Sequence, residues 1–171
     1  MSGENLRQKE LLSLCVGFCF ALVSCSDGVG RNFSDEELFE LVSTTTDYTY
    51  YLDSSDRFVS QGGPHQYVAI KFNSLAAAAL DSSGVLPEGE EFPTGSLIVK
   101  ESYVTSSGDL NVYAVMYKND GDQNAVDDWI WAEFTSTGEP YYEVSKKGLS
   151  CVSCHAQEGN RDYARIFSLY P

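Results

Sequence analysis

The sequence predicts an α+β fold, mainly antiparallel β-sheet with a few short helices, and three observations carry that expectation. Segments "QYVAIKF" (66–72), "GSLIVKESYV" (95–104), "LNVYAVMYK" (110–118) and "DWIWAEF" (128–134) are rich in β-branched and aromatic residues and alternate with a period of two. The connection "TSSGD" between the second and third is hairpin-sized and contains glycine. Helical signals are few and short, which argues against a four-helix bundle.

Taken in order, the chain opens with a basic stretch containing Arg7 and Lys9, followed by an uninterrupted apolar run from Leu11 to Val23. That run is shorter than the ~20 residues a bilayer requires and ends in small residues, so residues 1–24 read as a secretory signal peptide. "LVSC" (22–25) matches a bacterial lipobox, which makes Cys25 the expected first residue of the mature chain and the carrier of its acyl chains. Residues 25–33 are then a lipidated tether, and 34–171 one folded domain. The expected address is the periplasmic space, with attachment to a membrane through Cys25 alone.

Within the domain, "SDEELFELVS" begins with a capping box, Ser34 and Glu37, and spaces Leu38, Leu41 and Val42 along one helical face. "QYVAIKF" follows as a strand with Val68, Ile70 and Phe72 on one side and Tyr67, Ala69 and Lys71 on the other. "NSLAAAAL" is a helix capped by Asn73 or Ser74. The remaining strands put Lys100 on a face with Ile98 and Val104, and Trp129, Trp131 and Glu133 together on another. Formal net charge is -14, from 11 basic and 25 acidic residues. Such a surface argues against nucleic acid and against adhesion to anionic lipid, while suiting solubility or a basic redox partner protein.

The chemistry gathers near the C-terminus, in "GLSCVSCHAQEGNRD". Cys151, Cys154 and His155 have the C-x-x-C-H spacing of c-type haem attachment, in which the two sulfurs bond the macrocycle and the histidine ligates iron. Of the five cysteines, Cys15 and Cys19 leave with the signal and Cys25 takes lipid, so no pair remains for a structural disulfide. A redox C-x-x-C would normally open a helix early in a βαβ pattern, and structural zinc wants four ligands where the other histidine is His65. One covalently attached haem c is therefore the expected cofactor.

Candidates for a second axial ligand are few. Met116 lies mid-strand and reads as core packing, and His65, after Gly-Gly-Pro, reads as an exposed loop residue. An iron left open on that side can bind a small molecule, whereas a six-coordinate one mainly passes electrons. Arg161 and Arg165 are candidates for pairing with the haem propionates or for an exposed terminal helix. Tyr163 and Phe167 are spaced to pack one face of that helix, and Asp162 reads as a cap or turn residue. Glu101, Asp127, Asp128 and Glu133 are acids available for proton transfer that read first as solvated strand and turn residues.

"FPTGSLIVKESY" (92–103), "DDWIWAEFTSTGEP" (127–140), "CVSCH" and "NRDYARIF" together resemble the cytochrome P460 family, which includes the related cytochromes c′-β. The likeness spans roughly residues 34–170, with its elements in the family's order. It implies an antiparallel β fold, often homodimeric, with His155 as proximal ligand and an open distal position. It also implies a role for Lys100, which matches the lysine of F-P-x-G-x-x-x-x-K-E that is covalently linked to haem in the hydroxylamine-oxidising enzymes. Desolvation of Lys100 would favour its nucleophilic neutral amine, and Lys71 is the weaker candidate. Where those enzymes carry a basic distal residue this chain offers Val68. An apolar distal side, capped by an aromatic such as Phe58, Phe72 or Phe92, suits binding of nitric oxide and leaves hydroxylamine oxidation without an obvious base. The leading expectation is thus a nitric oxide-binding haem protein, with hydroxylamine oxidation or plain electron transfer as alternatives.

Overall fold

A computed structural model describes residues 32–53, 55–62 and 65–170. The expected signal peptide (1–24), Cys25 and most of the expected tether lie outside these residues. Helix α1 (Asp35–Thr44) starts at the expected capping box: Ser34 Oγ accepts from the Glu37 amide at 3.2 Å, and Glu37 accepts from the Ser34 amide at 3.0 Å. Leu38 and Val42 are its buried residues.

The sheet is antiparallel throughout. Its long strands are β3 (Tyr67–Phe72), β4 (Leu97–Tyr103), β5 (Leu110–Lys118) and β6 (Trp129–Thr135), adjacent in that order. Three short strands extend it: β1 (Thr49–Tyr50) and β2 (Phe58–Val59) both pair with β3, and β7 (Pro140–Tyr142) pairs with β6. Strands of two or three residues have no legible alternation, and their pairing is set by the exposed edge they meet. Helix α2 (Ser74–Ala78) is shorter than the alanine run that predicts it. Its cap, Asn73, also binds the start of β4, accepting from Leu97 N at 3.1 Å and donating to Gly95 O at 3.0 Å.

Alternation along the strands divides the interior in two. One face carries Leu97, Val99, Val115, Ile130, Ala132 and Phe134 and is covered by α1 through Leu38 and Val42. The other carries Ile70, Phe72, Ile98, Met116, Trp129 and Trp131 and is covered by the chain's last segment through Ala164, Ile166 and Phe167. Burial of these side chains is the main driving force for stacking the layers. The two short helices of that segment are α3 (Val152–His155) and α4 (Ile166–Leu169). Among the described residues no helix is long and apolar enough to cross a membrane.

Three expectations are corrected by this layering. Val104 lies beyond β4, after an irregularity at Ser102/Tyr103, and is exposed, so it does not share an apolar wall with Lys100. Lys71, on what reads as the polar side of β3, is buried. Its Nζ lies 2.7 Å from Glu101, which also accepts from Tyr103 OH at 2.8 Å, and 4.2 Å from the Tyr48 ring centre. Burial is tolerated there because the charge is paired and hydrogen-bonded. Tyr163 and Phe167 do not share a helix face: Tyr163 sits in a turn with φ 66°, while Phe167 belongs to α4 and stacks on Phe72.

Candidate functional site

In register across the sheet stand Ile70 on β3, Lys100 on β4, Ala114 on β5 and Glu133 on β6. All four line a cavity between the sheet and the C-terminal segment, with about 800 Å³ of atom-free space, part of it continuous with solvent. Val68, Ile98 and Met116 add apolar wall, and Cys151, His155 and Arg165 close it from the opposite side. A mostly apolar cleft with a few convergent polar groups is the usual form of a cofactor site.

His155 is held in one tautomer. Its Nδ1 lies 2.7 Å from the carbonyl oxygen of Tyr163; a carbonyl only accepts, so Nδ1 carries the proton and Nε2 keeps a free lone pair. Burial pushes its pKa down to about 4, against the pull of that carbonyl, with Lys100 and Arg165 adding to the lowering. The Trp131 ring packs edge-on at 4.8 Å between centroids. Asn160 Nδ2 donates to the carbonyls of Cys154 and His155 at 3.1 and 3.0 Å, fixing the end of α3.

Gly148 makes the approach to α3 possible. Its φ is +61°, and a Cβ there would stand 2.6 Å from Trp131 Cδ1 and 2.9 Å from Val152 Cγ2. Gly148→Ala should therefore displace Trp131 or α3, with strain of at least about 1–3 kcal/mol. The expected result is a lower unfolding midpoint together with reduced haem content per chain, read by pyridine haemochrome.

Cys151 is half-buried and lines the cavity, and burial pushes its thiol up to about 11. Cys154 is exposed, and the two sulfurs are not joined to each other. Among the described residues no group of three or more His, Cys, Asp and Glu side chains gathers to hold a metal ion unaided.

Lys100 points into the cavity. Burial lowers its pKa from 10.5, partly opposed by the negative charge of Glu133. Between the folded and unfolded pKa the unfolded chain binds more protons, so stability rises as pH climbs towards 10.5. Lys100→Met should flatten that rise, measured as unfolding free energy against pH in the alkaline range.

Two sequence readings change here. Glu133 is not a solvated strand residue but a cavity carboxylate, its side chain 20% exposed. His65 is not a solvent-facing loop residue: its side chain is 9% exposed, with Nε2 3.4 Å from Glu133 Oε1. Contacts across the sheet face bury both, which local sequence cannot report. Met116 is core and cavity wall together. None of Phe58, Phe72 and Phe92 lines the cavity; Phe72 and Phe92 lie in the core beside it and Phe58 packs at its edge.

The remaining candidates disperse. Arg165 lines the cavity, but Arg161 donates to the Leu86 carbonyl and lines a neighbouring cleft. Glu101 serves Lys71 on the opposite face, and Asp127 accepts from Tyr163 OH. Asp162 is a buried hub rather than a simple turn residue: it accepts from Lys118 Nζ at 2.9 Å, Trp129 Nε1 at 3.1 Å and Phe92 N at 2.8 Å. Trp131, Gly148 and Asn160 were not foreseen as site residues. The legible signal was Trp131 sharing a strand face with Glu133.

The donor set fits a haem. Trp131 is 2% exposed, yet its Nε1–H has no partner and belongs to a residue of the cavity wall, as expected where a further group completes the packing. An apolar sheet face, a thiol and an imidazole with its ligating nitrogen free, all on one cavity, define a haem protein built on a β-sheet rather than on helices. The family model of cytochrome P460 matches residues 45–167, and the chain belongs to that family. Its cofactor is accordingly a haem. No curated protein matches the chain.

Proposed function

We propose that the protein binds one haem c through thioether bonds to Cys151 and Cys154, with His155 on the iron, and oxidises hydroxylamine at the iron's open face. The observation that carries this reading is Glu133, a carboxylate in the same cavity and the same cross-strand row as Lys100. Oxidation of hydroxylamine breaks N–H and O–H bonds, and each electron that leaves must be matched by a departing proton. The electrons go to an external one-electron acceptor, in the cell a redox partner protein. When bound, the haem supplies an iron with one open coordination position and the first electron sink.

The chain's own residues do the rest. Glu133 accepts substrate protons, which supplies the base that the apolar Val68 position leaves missing. Lys100 is desolvated, favouring a neutral amine that would bond a macrocycle carbon with loss of one hydrogen from each, the two electrons passing to an external oxidant such as a peroxide. Arg165, facing both, suits the haem propionates. The same reading places the mature chain in the periplasmic space, held to a membrane by lipid on Cys25, and active as a homodimer.

The test is an absorption spectrum of the reduced holoprotein with its intact mass under denaturing conditions, for wild type and Lys100→Arg. A displaced, broadened Soret band and a loss of hydrogen mass beyond thioether attachment, both absent in the variant, are expected. An ordinary high-spin c-type spectrum with no such loss removes the crosslink and favours a second reading, capture of nitric oxide. The apolar wall of Val68, Ile70, Ile98 and Ala114 supports that alternative.

A further inference from the structure

His65 stands where no strand neighbour would put it. It lies just before β3, while Glu133 is on β6, and two strands separate them in the sheet. At about 4.8 Å per strand the gap is roughly 14 Å, so His65 reaches over the sheet face to meet Glu133. Ser60 and Gly62 line the cavity, and Gly62 lies against Arg165. His65 is the contact of this edge of the sheet with the cavity acid.

We propose that His65 is the proton outlet of this site, taking each proton from Glu133 and releasing it to solvent. This rests on the hydroxylamine reading above. Glu133 must return to carboxylate before it can accept again, and the side chain paired with it is that of His65. Nε2 of His65 lies 3.4 Å from Oε1 of Glu133, at ion-pair distance and long for a hydrogen bond. Such contacts are commonly loose before substrate binds. Imidazole can accept a proton at one nitrogen and release one from the other. With 9% of its side chain exposed, His65 touches the acid and solvent together. The step balances: a proton passes from the Glu133 carboxyl to Nε2, the Nδ1 proton leaves to water or buffer, and no electron moves. The charged and titratable groups facing the pair are Lys100, Cys151 and Arg165 across the cavity and Tyr142, the register partner of Glu133 on β7.

The experiment uses haem-loaded protein with hydroxylamine and a one-electron dye acceptor, comparing wild type, His65→Gln and His65→Phe across pH, with and without added imidazole. The expected result is a fall in kcat of about tenfold or more in both variants, at unchanged KM and unchanged haem spectrum, with part of the rate restored by imidazole. Undiminished kcat in His65→Gln overturns the outlet. So does a loss that imidazole does not restore, or one accompanied by an altered KM or spectrum, since either means that His65 only holds Glu133 in place. Absence of turnover in fully loaded wild type instead removes the hydroxylamine reading, and the outlet with it.

Discussion

Asp162→Asn should lower the unfolding free energy by about 3–5 kcal/mol, the range for breaking a buried ion pair from one side. The carboxylate is 5% exposed and Lys118 is 6% exposed, so the remaining ammonium could not recover its hydration. Among the described residues Lys118 would keep the carboxylate of Glu91, 3.8 Å away and largely exposed, and the face of the Trp129 ring. Asparagine has the same outline but can no longer satisfy Lys118 Nζ, Trp129 Nε1 and Phe92 N with one charged group. Because Tyr163 follows directly and its carbonyl fixes His155, haem incorporation should fall as well. Urea unfolding measures the first effect and haem content the second. The double variant Asp162→Asn with Lys118→Met should recover part of the loss, since it removes the stranded charge; if it is no more stable than Asp162→Asn alone, the ion pair is not the source.

The other large effect concerns rate rather than stability. Glu133→Gln should reduce hydroxylamine-dependent turnover about a hundredfold, a typical contribution of a positioned general base, while haem content stays at the wild-type level. Glutamine fits the same space between Ala114 and His65 but takes up no proton. Loss of the negative charge should also push the Lys100 pKa further down, since Glu133 is the largest influence opposing its desolvation. If turnover is unaffected, the base lies elsewhere and the nitric oxide reading gains. Binding of nitric oxide to the reduced protein, followed by stopped flow, should be little changed by the substitution, because that reaction needs no proton acceptor.

The long strands were legible because each alternates over six residues or more and one register buries each apolar set. Helix α1 was legible because its capping box is a local signal, complete within Ser34 and Glu37. The three short strands were not, since two or three residues carry no periodicity. At the site, "CVSCH" announces two thiols and an imidazole by spacing alone, because all three lie within five consecutive residues. The carbonyl of Tyr163, the ring of Trp131 and the missing Cβ of Gly148 belong to the same site but arrive from other parts of the chain.

The acids make the same point from the opposite direction. Glu101 and Glu133 look alike in the sequence, each within an alternating apolar strand. Pairing of β4 with β3 puts Glu101 against Lys71 on one face, while the stacking of β4, β5 and β6 brings Glu133 into line with Lys100 on the other. By itself, then, the sequence determined the antiparallel sheet, its capped first helix and the grouping of two thiols with an imidazole in one short motif, since those signals lie within a few neighbouring positions. Only the tertiary structure decided that His65 and Glu133 meet over the sheet and that Asp162 is a buried hub. Those contacts join residues 68 positions apart in the first case, and 33, 44 and 70 apart in the second, so burial and register, not local pattern, select them.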